Sequence, residues 1–228
     1  MGKTLRENRI LLAALITSLA ALLFTLLVKI VDVQAIGPEG SSVGFAALNG
    51  AFASAHEYAG GWYLLSKLLG VLALLIILGF AAVGFLELLQ KKNLWKVHRE
   101  ILDLGGLYLA TLAVYLFFEI VVINYRPVLD DGELAASFPS SHTVLACVVF
   151  LSAARVLPQL FPALSEYRRW ILIGGAGLSF LTVLSRLFSG VHWLTDIFGG
   201  LFYSSALLFW YLTLTTDKKK VREEEAEE

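Results

Sequence analysis

Six stretches of this chain are long and apolar enough to cross a bilayer, and that narrows the fold more than anything else in it. A helix needs roughly 20 residues to span the hydrocarbon core. Stretches of that kind run over about 10–30, 61–89, 101–123, 141–161, 170–188 and 193–215. In lipid the backbone must satisfy its own polar groups, so each stretch reads as a helix. The expected fold class is all-α, a polytopic membrane protein with six transmembrane helices. Only 16% of the residues are charged, against about 25% for a soluble domain. Lys3, Arg6 and Arg9 precede the first stretch, as they would in a signal peptide. Its apolar run is longer than a signal core and lacks a small-x-small cleavage site before Asp32, so it reads as a retained span.

Orientation follows from the basic residues. Lys3, Arg6 and Arg9, then Lys91, Lys92, Lys96 and Arg99, then Arg155, Arg168 and Arg169, then Lys218, Lys219, Lys220 and Arg222 all fall on one side. The exceptions are Lys29, Lys67, Arg126 and Arg186. Lysine and arginine mark the cytoplasmic side, so both termini are expected there. Trp62, Trp95, Trp170, Trp193 and Trp210 lie near span ends, where interfacial aromatics belong. The expected organisation is one membrane domain over 1–217 and a charged cytoplasmic tail over 218–228, with Arg222–Glu228 solvated and disordered. Residues 34–60 form the longest outer connection, and its apolar stretch from Val43 to Ala55 reads as an interfacial helix or a lid.

Chemistry gathers at the outer ends of the spans. Ionisable groups placed there are costly and mark function. Ser185-Arg186 closes the fifth span, Gly190 allows a turn, and His192 opens the sixth with Asp196 four residues on. Residues four apart share a helical face. A carboxylate so placed accepts a proton from one imidazole nitrogen and leaves the other free to attack phosphorus. Arg186 suits paired hydrogen bonds to phosphate oxygens. In Phe138-Pro139-Ser140-Ser141-His142, Pro139 fixes the entry and Ser140 or Ser141 suits the helix cap. Free N–H groups at that helix start form an anion site, and His142 in the first turn is placed to protonate a departing oxygen. Arg126-Pro127 adds another cation.

Together, Arg126-Pro127, Pro139-Ser140-Ser141-His142 and Ser185-Arg186-x5-His192-x3-Asp196 resemble the three-part signature of the type 2 phosphatidic acid phosphatase (PAP2) family. That family is related in its core to the vanadium haloperoxidases. The resemblance extends over about residues 60–215 and implies a PAP2-like helical bundle. The third motif matches at every fixed position, while Ser141 stands where the second usually has glycine. The first motif departs further. Its lysine, a phosphate ligand seven residues before the arginine, is replaced by Glu119. Lys67 lies at a comparable depth in the second span, and is expected to pair with Glu119 or to supply the missing phosphate contact.

The resemblance implies metal-independent removal of phosphate from a membrane lipid. His192 is then the nucleophile, forming a phosphohistidine, with Asp196 steadying the imidazolium. His142 protonates the leaving group, and Arg126, Arg186, Ser140 and Ser141 bind the phosphate. Undecaprenyl pyrophosphate, phosphatidylglycerophosphate and phosphatidic acid all fit an outward-facing site. Short loops and the absence of an N-x-Ser/Thr sequon favour a bacterial plasma membrane. Two other readings use the same residues. One is a phosphotransferase that passes the phosphoryl group to a second lipid. The other is a non-catalytic binder of lipid phosphate, suggested by Glu119. The expected partners are the bilayer and a lipid phosphate, with no nucleic acid, no cofactor and no metal; nothing in the sequence speaks to oligomeric state. His56 and His98 read as surface residues, Gly174–Gly177 and Gly199-Gly200 as close helix packing, and Cys147 as a small buried apolar group.

Overall fold

A computed structural model of the chain describes residues 7–216, with the bounds of the first and last helices running beyond them. The acidic tail expected to be disordered lies outside the described residues. Seven α-helices follow in order: α1 (Gly2–Ile30), α2 (Ala46–Ala55), α3 (Gly60–Lys91), α4 (Arg99–Ile120), α5 (Ser141–Leu160), α6 (Arg168–Leu187) and α7 (Leu194–Glu227). Six of them carry apolar windows of spanning length, each starting and ending within a few residues of the sequence expectation. The short α2 lies in the connection between the first two spans.

The bundle is organised around α5, whose apolar window is 67% buried against 11% for α1. Its sequence explains this position. Ala146, Ala153, Ala154 and Ser152 are small enough for neighbours to approach, and Val144, Val148 and Val156 fill the spaces between them. Close approach is what holds helices together in lipid, where burial from water supplies no drive. Gly175 of α6 is one such place: a Cβ there would fall 2.7 Å from the Ala154 Cβ and from the Phe150 carbonyl oxygen. The core draws Phe80 from α3, Leu104 and Leu107 from α4, and Tyr211 from α7 onto the valines of α5. Helix α1 runs along α7, tied by Thr25 Oγ1 to Tyr203 OH at 3.0 Å and by the Trp210 indole N–H donating to Ser18 Oγ at 2.9 Å.

The connection between α1 and α3 folds back onto the motif-bearing end of the bundle. Phe45 takes a left-handed conformation before α2. Asn49 then donates to Gly44 O at 2.7 Å and to Thr195 Oγ1 at 2.9 Å, and accepts from Thr195 N at 3.2 Å. Asn49 is fully buried, so α2 is fastened to the first turn of α7. Further along, Ala59 N donates to Ser189 O at 3.1 Å. Gly190 is needed here twice over. Its φ is +72°, and a Cβ would fall 2.7 Å from Tyr58 N and 2.8 Å from Glu57 O. Gly190→Ala is therefore expected to destabilise the protein by about 2 kcal/mol, measured as thermal unfolding in detergent. His56 is half-buried, stacked on Phe52 at 4.3 Å and near Phe188 at 5.4 Å, and so is less of a surface residue than its loop position implied.

Candidate active site

Three chain segments meet at this end of the bundle. The loop after α4 folds on itself through the Tyr125–Ala136 and Asp130–Glu133 pairings, turning at Asp131 and Gly132. This carries Arg126 back towards the start of α5, its N–H donating to Ala135 O at 3.0 Å. Ser140 N donates to Asp196 O at 3.0 Å, which joins the start of α5 to α7. A second fastening comes from Trp193, whose indole N–H donates to Tyr125 O at 2.6 Å. Trp193 is 3% exposed, so it is a structural part of the site and not the interfacial anchor its position in the sequence suggested. Gly199 and Gly200 sit against Phe138 and Thr143, leaving α7 room to pass this loop.

His192 lies in the turn before α7, buried between two partners of opposite kind. Its Nδ1 is 3.3 Å from Asp196 Oδ2, which also accepts from Trp193 N at 2.9 Å. Its Nε2 is hydrogen-bonded to Arg186 Nη2. A guanidinium can only donate, so Nε2 carries the lone pair and Nδ1 the proton held by Asp196. Burial, reinforced by the Arg186 and Arg126 guanidiniums, holds the pKa of His192 well below its usual value. The imidazole is thus neutral, with its lone pair directed at the group that would bind a phosphate.

Arg186 is 1% exposed, anchored by Nη1 to Ser66 Oγ at 3.1 Å, and its guanidinium lies 5.7 Å from the Tyr63 ring centroid. Arg126 is held from the other side by Asp130 Oδ2 at 2.8 Å. The Nε–H of both arginines is buried with no partner among the described residues. Buried donors are nearly always satisfied, and phosphate oxygens would satisfy these. Ser140 occupies the cap position of α5 but does not cap it; its Oγ instead accepts from Thr143 Oγ1 at 3.0 Å. The first-turn N–H groups of α5 thus receive no side-chain cap from Ser140, which leaves them available to an anion.

Behind Asp196 lies a residue that no sequence motif marks. Asn124 is 1% exposed and accepts from Gly44 N at 3.3 Å, and its carbonyl takes both the N–H and the hydroxyl of Ser137. Its amide faces the Asp196 carboxylate, where Asn124 Nδ2 and Asp196 Oδ1 both stand without a closed hydrogen bond. Asn124 thus connects the α1–α3 connection, the serine loop and the carboxylate.

Helix α3 supplies a fourth wall. Tyr63, Ser66, Lys67 and Gly70 follow the i, i+3, i+4, i+7 pattern of one helical face. Tyr63 and Ser66 meet Arg186, and a Cβ at Gly70 would fall 3.1 Å from His142 Nε2. Of these four, only Lys67 stands out in the sequence, because tyrosine, serine and glycine are ordinary in a membrane helix. Below this face a cavity of about 1070 Å³ opens between α3 and α4. Ser141, His142, Lys67 and Glu119 line its motif end, and Leu74, Ile77, Ala81, Leu102 and Leu109 line its length. From Lys67 to Gly84 it follows α3 for about 25 Å. No ion pair joins Lys67 to Glu119 among the described residues, although both line this cavity.

The chain belongs to the PAP2 superfamily: that family's model matches residues 77–220, well over half of the sequence. Among curated proteins it is similar to phosphatidylglycerophosphatase B of Bacillus subtilis (strain 168), at 31% identity over 96 residues. The match takes in 42% of this chain and 45% of that relative's own length. Among solved structures it is similar to the first transmembrane PAP2 type phosphatidylglycerolphosphate phosphatase from Bacillus subtilis, with a TM-score of 0.58. That likeness covers 90% of this chain and 96% of the other at 21% identity, so it is a likeness of fold.

Proposed function

We propose that this chain is a lipid phosphatase that hydrolyses a lipid phosphate or pyrophosphate through a phosphohistidine, using side chains in place of a metal ion. The observation that carries the reading is the position of His192. It is neutral, oriented by Asp196 and joined to Arg186, beside His142 at the head of an apolar groove. In the first step the Nε2–P bond forms as the bond from phosphorus to the leaving oxygen breaks, and a proton passes from His142 to that oxygen. In the second, water gives its proton to His142 and attacks phosphorus. The P–N bond breaks and inorganic phosphate leaves. Arg186, Arg126 and the first-turn N–H groups of α5 stabilise charge on the equatorial oxygens, the main lever in phosphoryl transfer.

The groove between α3 and α4 suits an acyl or prenyl chain, which would place the phosphate at His192 and the lipid among leucines. The distribution of lysine and arginine supports an outer-face site with both termini cytoplasmic, in a bacterial plasma membrane. The similarity to phosphatidylglycerophosphatase B supports a glycerophospholipid phosphate among the substrates.

The test is phosphate release by the purified protein in detergent, with a chelator and without an acceptor lipid. Undecaprenyl pyrophosphate, phosphatidylglycerophosphate and phosphatidic acid are offered separately. Release from at least one is expected. Release only after a second lipid is added would identify a transferase, and binding without turnover would identify a binder. The pH profile is a further check. Because His192 stays neutral as pH falls through 6.5, the usual imidazole value, the acid limb of kcat that it sets is expected below that value. A limb with its midpoint at or above 6.5 would place an ordinary, solvated imidazole at the nucleophile position.

A further inference from the structure

Lys67 is a cation that the reaction above does not use. Its ammonium lies 4.5 Å from the centroid of the Tyr63 ring, the ring that also faces the Arg186 guanidinium. It has no carboxylate partner among the described residues. A lone cation at this depth in a membrane span is costly, and Lys67 shares its helical face with groups that touch the site.

Its place along the substrate's path can be read from its neighbours. Lys67 lines the same end of the groove as His142. Gly70, one turn further along α3, lies directly against the His142 ring. Lys67 therefore stands on the acid side of the site, where α3 opens into the groove. Glu119 stands on the α4 wall of the same cavity.

The attack at Nε2 fixes what passes this point. The leaving oxygen lies opposite Nε2 and within reach of His142, so the next atoms of the leaving group run past Lys67 into the groove. A diacylglycerol leaving group brings only ester and hydrocarbon there. A leaving group that itself carries a phosphate brings an anion. We propose that Lys67 binds the second, unreacting phosphate of a substrate that carries two, and so selects such lipids over phosphatidic acid. This rests on the phosphatase reading. The shared chemistry is an anionic phosphate on the leaving-group side, as in a polyprenyl diphosphate or in phosphatidylglycerophosphate.

The experiment compares Lys67→Met with wild type on undecaprenyl pyrophosphate, phosphatidylglycerophosphate and phosphatidic acid. A charge-assisted hydrogen bond lost from binding corresponds to about a tenfold change or more. Lys67→Met is therefore expected to raise KM about tenfold or more for one or both two-phosphate lipids, and much less for phosphatidic acid. Which of the two responds distinguishes a directly attached phosphate from one set back along glycerol. Lys67→Arg is expected to restore most of the selectivity. In the wild type, with no substitution, methylene diphosphonate is expected to inhibit about tenfold more tightly than inorganic phosphate. Equal changes in KM on all three lipids, or none on any, would overturn the assignment, as would equal inhibition by the two anions. Wild type that releases phosphate from none of the lipids would overturn the phosphatase reading itself.

Discussion

His192→Ala is expected to lower phosphate release by roughly 10⁴-fold or more, since removing a nucleophile leaves only binding and charge stabilisation. The fold should survive the change. Asp196 keeps its hydrogen bond from Trp193 N, Ser140 N still donates to Asp196 O, and Arg186 keeps Ser66. Elution as a monodisperse species with near-normal thermal stability would show that the loss is chemical. Two further measurements sharpen the result. Wild type incubated with labelled substrate and quenched in alkaline detergent should retain covalent phosphate that acid then releases, and His192→Ala should retain none. Substantial turnover by His192→Ala would remove the nucleophile assignment, and with it the reason Asp196 and Arg186 flank this ring.

Arg186→Met is expected to cost about 10³-fold in kcat/KM while leaving stability unchanged or slightly improved. The two halves of this prediction have different origins. In the proposed reaction Arg186 would offer the phosphate donors that strengthen as charge builds up, and loss of one such group typically costs roughly 10²–10³. In the folded protein the same guanidinium is a buried charge held by a serine hydroxyl and an imidazole. No carboxylate pairs with it among the described residues, and its Nε–H goes unmet. Replacing a poorly compensated buried ion with an apolar side chain of similar length is commonly neutral or stabilising. Phosphate release and thermal unfolding on the same preparation check both halves. A variant that unfolds early would mean that Arg186 holds the bundle together, and that its position at His192 is incidental.

Much of this architecture is legible in the order of residues alone. The six spans can be read because lipid imposes a length and forbids exposed backbone, so each boundary follows from counting apolar residues. His192 and Asp196 can be paired because they lie only four residues apart, although His192 proves to lie in the turn before α7. What stays hidden depends on the direction in which side chains point. Nothing in the sequence of α3 tells which face meets α6, so Tyr63, Ser66 and Gly70 look like ordinary membrane residues. Trp193 looks interfacial, because a tryptophan at a span end is the same letter whether its N–H meets lipid headgroups or Tyr125 O. Ser140 looks like a cap because the alternative partner, Thr143, becomes visible only once both hydroxyls are placed. Asn124 sits in a loop whose folding back depends on Gly44, far away in the chain, and on Ser137 beyond the turn.

The bond from Ser140 N to Asp196 O has a mechanical consequence. It ties the residue before His142's helix to the backbone of the residue whose carboxylate holds His192, so the proposed proton donor and nucleophile are fixed relative to one another through α5 and α7. Helices α3 and α4 both pack on α5, part from one another along the groove, and meet closely near Gly84 and Ile101, at the end far from His192. Because Ser66 and Gly70 of α3 touch Arg186 and His142, any widening of the groove that spared the reacting groups would have to come from α4. The wall that would admit a lipid and the groups that would act on it are thus carried by different parts of the bundle.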